Sequence, residues 1–112
     1  MDRQTLINAK IDYENGKNRF AGNEALYEKY LLKFKDDPHF EGAKAAFAAE
    51  DYEKLLKETH ALKGVAGTLG IIPVYQASAG IVSAIRAEEV ERVPQLYQTL
   101  VSSYEHIVQI LK

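Results

Sequence analysis

A histidine, a lysine and two glycines follow one another at helical spacing, and together they suit phosphoryl transfer. Lys63 and Gly64 come one helical turn after His60, and Gly67 comes two turns after it. A neutral imidazole nitrogen can attack phosphorus in line, and a lysine one turn away can hold the phosphoryl oxygens as a mobile point charge. A glycine inside a helix costs roughly 1 kcal/mol relative to alanine. Two glycines on the histidine side therefore indicate that a bulky donor site approaches this backbone closely.

The helix that carries this group is predicted to begin near Asp51 and to end at Gly70. Its inward positions recur at spacings of three and four and form one buried stripe, made of Tyr52, Leu55, Thr59, Leu62, Ala66 and Leu69. His60 lies about 200° around the helix from Leu62, so its side chain is predicted to face solvent. Gly70 suits the position after the last helical residue, and Pro73 lies just beyond it.

Two more residues near this face, Leu56 and Lys57, lie one turn before His60. Leu56 is predicted to belong to an apolar docking patch for a partner helix, together with exposed residues of the preceding helix from Tyr30 to Phe34. The alternative is that Leu56 is an isolated exposed apolar residue, which is common on protein surfaces. Lys57 precedes His60 by three residues and is a second candidate for partner docking.

The rest of the chain is also predicted to be helical, because helix-forming residues dominate and alternating β-branched residues are nearly absent. Residues 12–23 contain three Asn and two Gly and are interpreted as turns, with at most one irregular helical turn. Further helices are predicted over residues 1–10, from Asn23 to about Lys35, over 40–49, from Pro73 to about Ala87, and from near Pro94 onward. This pattern predicts an all-α fold, an antiparallel four-helix bundle with one or two short extra N-terminal helices.

Length, composition and charge narrow the possible functions. The chain has 112 residues, 46% of them hydrophobic and 27% charged, which fits a single domain over residues 1–112. It contains no Cys, which excludes thiolate chemistry, and no apolar run of the length that membrane insertion requires. With 14 basic and 16 acidic residues, there is no electrostatic basis for nucleic-acid binding. A cytoplasmic protein is expected because the N-terminus lacks a signal-peptide pattern, and a monomer because no long apolar stripe is left over.

The motif around His60 resembles a known signature. The run HALKGVAGTLG, residues 60–70, is similar to the H-x-L-K-G-x-x-x-x-L-G pattern of histidine-containing phosphotransfer (Hpt) domains. Upstream, the run DYENG at 12–16, the pairs Gly22-Asn23 and Leu26-Tyr27, and the run LLKF at 31–34 resemble the N-terminal segment and second helix of that family. The resemblance therefore extends over essentially the whole chain.

This resemblance implies a phosphoryl carrier with no kinase activity of its own. Such a domain accepts a phosphoryl group from an aspartyl phosphate on a receiver domain and passes it to another receiver. By the resemblance, His60 is the phosphorylated residue, Lys63 stabilises the phosphoryl group, and Gly64 and Gly67 provide clearance for docking. The implied partners are receiver domains of response regulators, a hybrid sensor histidine kinase, or both. No cofactor is expected, because Mg²⁺ in such systems belongs to the receiver.

A second function stays open, namely a helical scaffold that docks on a response regulator or a histidine kinase without carrying phosphate.

One departure from the family pattern concerns the residues that would orient the His60 ring. Many members have a Leu-Glu pair in the following helix, and the Glu hydrogen-bonds the imidazole in the chemotaxis-kinase branch. This chain has Ile81-Val82 at those positions. The His60 ring is therefore predicted to be held by packing or by water rather than by a carboxylate.

Overall fold

The computed structural model describes residues 1–112 and contains seven α-helices and no β-sheet. The helices are α1 (Arg3–Asn8), α2 (Tyr13–Asn18), α3 (Glu24–Lys33), α4 (Pro38–Ala48), α5 (Tyr52–Leu69), α6 (Ile72–Arg86) and α7 (Val93–Leu111). Short 3-10 turns precede α4 and α7. None of the helices combines the length and the apolar character that crossing a bilayer requires. The prediction of an all-α bundle with short extra N-terminal helices is confirmed.

Helix α5 packs between α4 and α6, while α7 packs against α6. The stripe predicted for α5 is buried from Leu55 to Leu69, whereas Tyr52 at its start is only half-buried. The polar member of the stripe, Thr59, is accommodated because its hydroxyl donates a 2.7 Å hydrogen bond to the carbonyl of Leu55. Since one face of α5 is committed to the core, the opposite face, which carries His60, is left at the surface.

Side-chain caps determine where the central helices begin. Asn23 and Asp51 each accept a hydrogen bond from the backbone N–H three residues later, which confirms the predicted starts of α3 and α5. Asp37 caps α4, which begins at Pro38 rather than at residue 40. Gly70 ends α5 with a φ of 77°, a left-handed conformation that favours glycine. The boundaries of the helix that carries His60 are therefore encoded locally.

The segment 12–23 forms more regular structure than predicted, because its first half is the helix α2. Asp12 caps this helix, and Tyr13 and Gly16 are buried. The ring of Tyr13 meets that of Tyr27 edge-on, with 5.1 Å between the centroids. A Cβ at Gly16 would lie 2.5 Å from the Tyr27 ring, so this close approach requires glycine. Packing on α3, rather than the weak helix propensity of YENGKN, stabilises α2.

Candidate functional site

His60 is exposed on the outer face of α5, as its angle from Leu62 predicts. The histidine that pairs with a carboxylate is His39, whose Nδ1 lies 3.4 Å from Glu58, and no ion pair involves His60. Val82, at the position where many Hpt-like sequences carry Glu, is 2% exposed within α6. The imidazole is therefore accessible and is not oriented by an acidic side chain of this chain.

The C-terminal half of α5 is anchored by a buried tyrosine of α3. The Tyr27 hydroxyl donates a 2.6 Å hydrogen bond to the carbonyl of Leu69, one of the carbonyls that a helix end leaves without a partner. Burial raises the pKa of Tyr27 to about 12, so the hydroxyl keeps its proton across the neutral range. This contact holds the helix that carries His60 against the body of the bundle.

Four of the six predicted site residues line one shallow depression of about 310 Å³, which we call the cationic hollow. Its lining consists of His60, Lys63, Gly64 and Gly67, joined by Arg19, Thr68 and Tyr75. The other two predicted site residues lie outside it. Leu56 is half-buried and Lys57 is exposed, and both lie one turn toward the N-terminus of α5. Their part in partner docking stays a prediction.

Lys63 is held beside the histidine by an aromatic ring. Its Nζ lies 5.6 Å from the centroid of the Tyr75 ring, which is within the range of a cation–π contact. Because Tyr75 comes from the first turn of α6, the contact joins the two helices on either side of Gly70. The ammonium group therefore has a preferred position but keeps its charge available to an anion.

The two glycines of the site have different surroundings. A Cβ at Gly64 would meet nothing within 4 Å, so no neighbour in the chain requires glycine there. A Cβ at Gly67 would lie 3.2 Å from Cδ2 of Tyr75, closer than an ordinary van der Waals contact. Gly67 therefore makes room for Tyr75, whereas the space beside Gly64 is open.

A larger depression of about 660 Å³, which we call the apolar groove, lies on the other side of Gly64. Its apolar lining comes from α5 and from the segment between α2 and α4: Phe20, Tyr30, Phe34, Pro38, Ala61, Val65 and Leu69. Gly64 and Thr68 line both the apolar groove and the cationic hollow. Of the predicted span from Tyr30 to Phe34, Tyr30, Lys33 and Phe34 thus line a surface next to the cationic hollow, while Leu56 does not line it.

Comparison with known protein families assigns the chain to one of them. The family model of the Hpt domain matches residues 35–110, which include the whole of α4, α5 and α6. The chain belongs to the Hpt domain family. No curated protein and no solved structure gives a significant match. Membership of this family means phosphotransfer in a phosphorelay, interaction with receiver domains, and the role of a phosphocarrier without catalytic activity of its own.

Three residues of the cationic hollow of this Hpt domain were not among the site residues predicted from the sequence, namely Arg19, Thr68 and Tyr75. Tyr75 follows Pro73 by two residues, and the tight turn at Gly70 brings it back beside Gly67. The hairpin of α5 and α6 could have indicated this pair. Arg19 reaches the hollow from the end of α2, where its Nη1 donates a 3.2 Å hydrogen bond to the carbonyl of Thr68. Arg19 and Thr68 are 49 residues apart, so no local sequence pattern predicts their contact.

Proposed function

We propose that His60 is the phosphorylated residue of this Hpt domain, which takes a phosphoryl group from the aspartyl phosphate of one receiver domain and gives it to the aspartate of another. The observation that carries this proposal is the cationic hollow, where an exposed imidazole stands beside Lys63 and the bare backbone of Gly64. The other two histidines have different settings. His39 pairs with Glu58, and His106 is exposed on α7, outside both depressions.

In the proposed step, the lone pair of one imidazole nitrogen attacks the phosphorus of the aspartyl phosphate. The N–P bond forms while the P–O bond to the aspartate breaks, and the electron pair of that bond leaves with the receiver carboxylate. The other ring nitrogen keeps its proton. Lys63 compensates the charge on the equatorial oxygens, and transfer to the next receiver is the same step in reverse. By the family resemblance, the metal ion of the reaction belongs to the receiver.

The apolar groove supports docking of a receiver domain next to His60. A transient interface needs a small apolar centre with a polar rim, and the groove combines aromatic side chains with the exposed Lys33. Gly64, which lies between groove and hollow, would let the partner backbone come close while the aspartyl phosphate reaches the imidazole. We propose that residues 1–112 act as one domain, since residues 1–34 contribute to both depressions. We also propose that this domain is a monomer and acts in the cytoplasm.

The proposal is tested by transfer from a phosphorylated receiver domain to the chain. We expect the wild type, His39→Gln and His106→Gln to gain one phosphoryl group, and His60→Gln to gain none with unchanged helical circular dichroism. Since His60 is exposed, its replacement removes no core packing. Transfer to His60→Gln at the wild-type rate would refute the site. A wild-type chain that binds the receiver but never takes phosphate would instead support the docking-scaffold function.

A further inference from the structure

Arg19 stands in the cationic hollow with His60 and Lys63, although it comes from the N-terminal segment outside the family match. We propose that Arg19 is a second cation of the phosphoryl site, whose charge acts together with that of Lys63 to attract the phosphoryl group to His60 and to compensate its negative charge. This role rests on the proposed function of His60. It would make the short helix α2 a part of the site rather than an accessory to the fold.

The charge of Arg19 is available to an anion. Its side chain is exposed, and none of the ion pairs of the chain includes it. Lys17, two residues earlier, differs because its Nζ lies 3.3 Å from Glu14. Asp12, which shares an adjacent depression with Arg19, is occupied as the cap of α2 and accepts a 2.7 Å hydrogen bond from the Asn15 amide.

The guanidinium of Arg19 is also held in position. Its Nη1 donates to the carbonyl of Thr68, a residue that itself lines the cationic hollow. Thr68 comes eight residues after His60, about 12 Å along the axis of α5, so a guanidinium at this carbonyl acts on a phosphoryl group at His60 through its charge rather than by direct contact.

The helix that carries Arg19 is itself fixed on the bundle. The backbone N–H of Asp12 donates a 2.7 Å hydrogen bond to the carbonyl of Gly70, directly at the end of α5. Gly16 lets α2 lie against the ring of Tyr27, the residue that anchors the same end of α5. Arg19 is therefore carried by a segment that is fixed on the bundle, so less conformational entropy is lost when its side chain acts on a ligand.

The test measures the initial rate at which phosphoramidate phosphorylates the chain, followed by intact mass. Arg19→Gln keeps a polar side chain but removes the charge, and we expect its rate to fall about fivefold. Arg19→Lys keeps the charge and should stay within about twofold of the wild type. The matched control is Lys17→Gln, which removes a cation of the same helix outside the hollow and should leave the rate unchanged.

Several outcomes would overturn this role. A wild-type rate for Arg19→Gln, with His60→Gln unlabelled, would refute the role of Arg19 and leave the proposed function intact. Equal slowing by Arg19→Gln and Arg19→Lys would show that Arg19 only anchors α2. A wild-type to Arg19→Gln ratio that does not shrink in 1 M salt, where the Debye length is about 3 Å, would refute a role of its charge. A wild-type chain that takes phosphate neither from phosphoramidate nor from a phosphorylated receiver, or phosphate on His60→Gln at the wild-type rate, would refute the proposed function itself.

Discussion

The two depressions that meet at Gly64 are lined by different kinds of side chain. The cationic hollow, a depression of about 310 Å³, is lined by the imidazole together with Lys63 and Arg19. The apolar groove of about 660 Å³ is lined by aromatic and aliphatic side chains, with Phe20 and Tyr30 stacked at 5.6 Å between their centroids. Charged groups suit a phosphoryl ligand, whereas apolar surface suits a protein partner.

Under the proposed function, receiver docking and phosphoryl transfer therefore use two adjacent faces of α5. The family defines phosphotransfer between an Hpt domain and receiver domains, so both a docking surface and a phosphoryl site are needed. Gly64 lies on the border of the two depressions, because it lines both of them. A Cβ added at this residue would meet no atom within 4 Å. Variants on the two sides should therefore respond differently to a receiver and to a small phosphate donor.

Gly64→Gln should give the largest contrast. A side chain there would fill the space through which the receiver backbone approaches, and we expect transfer from a receiver to fall about tenfold or more, since tenfold corresponds to about 1.4 kcal/mol. Labelling by phosphoramidate should stay within about twofold, because that donor is far smaller than a protein domain. Both rates measured on the same preparations check this. Equal losses with the two donors would contradict the clearance role of Gly64.

Tyr30→Ser should weaken receiver binding without changing the phosphoryl chemistry. Tyr30 is 42% exposed, so its removal opens no core cavity, but it takes away an aromatic wall of the apolar groove. We expect about a tenfold rise in the receiver Kd, measured by calorimetry, and an unchanged phosphoramidate rate. The matched control is Leu32→Ser, 40% exposed on the same helix but outside the groove. An equal effect of the control would refute the groove as the docking surface.

Alanine at the two glycines should have a smaller and unequal effect on stability. Gly64→Ala removes the helix penalty of glycine with no clash, and we expect the free energy of unfolding to rise by about 1 kcal/mol. Gly67→Ala should gain less, because the Tyr75 ring would have to move by a few tenths of an ångström. Urea denaturation of the two variants measures this difference. A gain at Gly67 equal to that at Gly64 would show that Tyr75 is not tightly packed there.

The parts of the molecule that were predictable from sequence are those encoded locally. The starts of α3 and α5 follow from Asn23 and Asp51, and the end of α5 follows from Gly70. The exposure of His60 follows from its angle to the buried stripe. In each case the determining residues lie within about two helical turns, which is the range over which a sequence pattern acts.

The parts that were missed depend on contacts between distant segments. The segment of α2 was interpreted as turns with room for one irregular helical turn, because its own residues favour a helix weakly. Its packing against Tyr27 supplies the stability that makes it a regular short helix. The contribution of Arg19 to the site depends on that packing. Both glycines were given one role, since the sequence does not show that Tyr75 folds back onto Gly67 and leaves Gly64 free.

The measurement that tests the central claim most directly is the mapping of the phosphorylated residue after treatment with phosphoramidate. Intact mass counts the phosphoryl groups, acid lability identifies a phosphorus–nitrogen bond, and fragment masses at neutral pH distinguish the three histidines. We expect one acid-labile phosphoryl group on His60, and no such group on the His60→Gln variant. A phosphoryl group on His39 or His106 of the wild type, with His60 unmodified, would contradict the account.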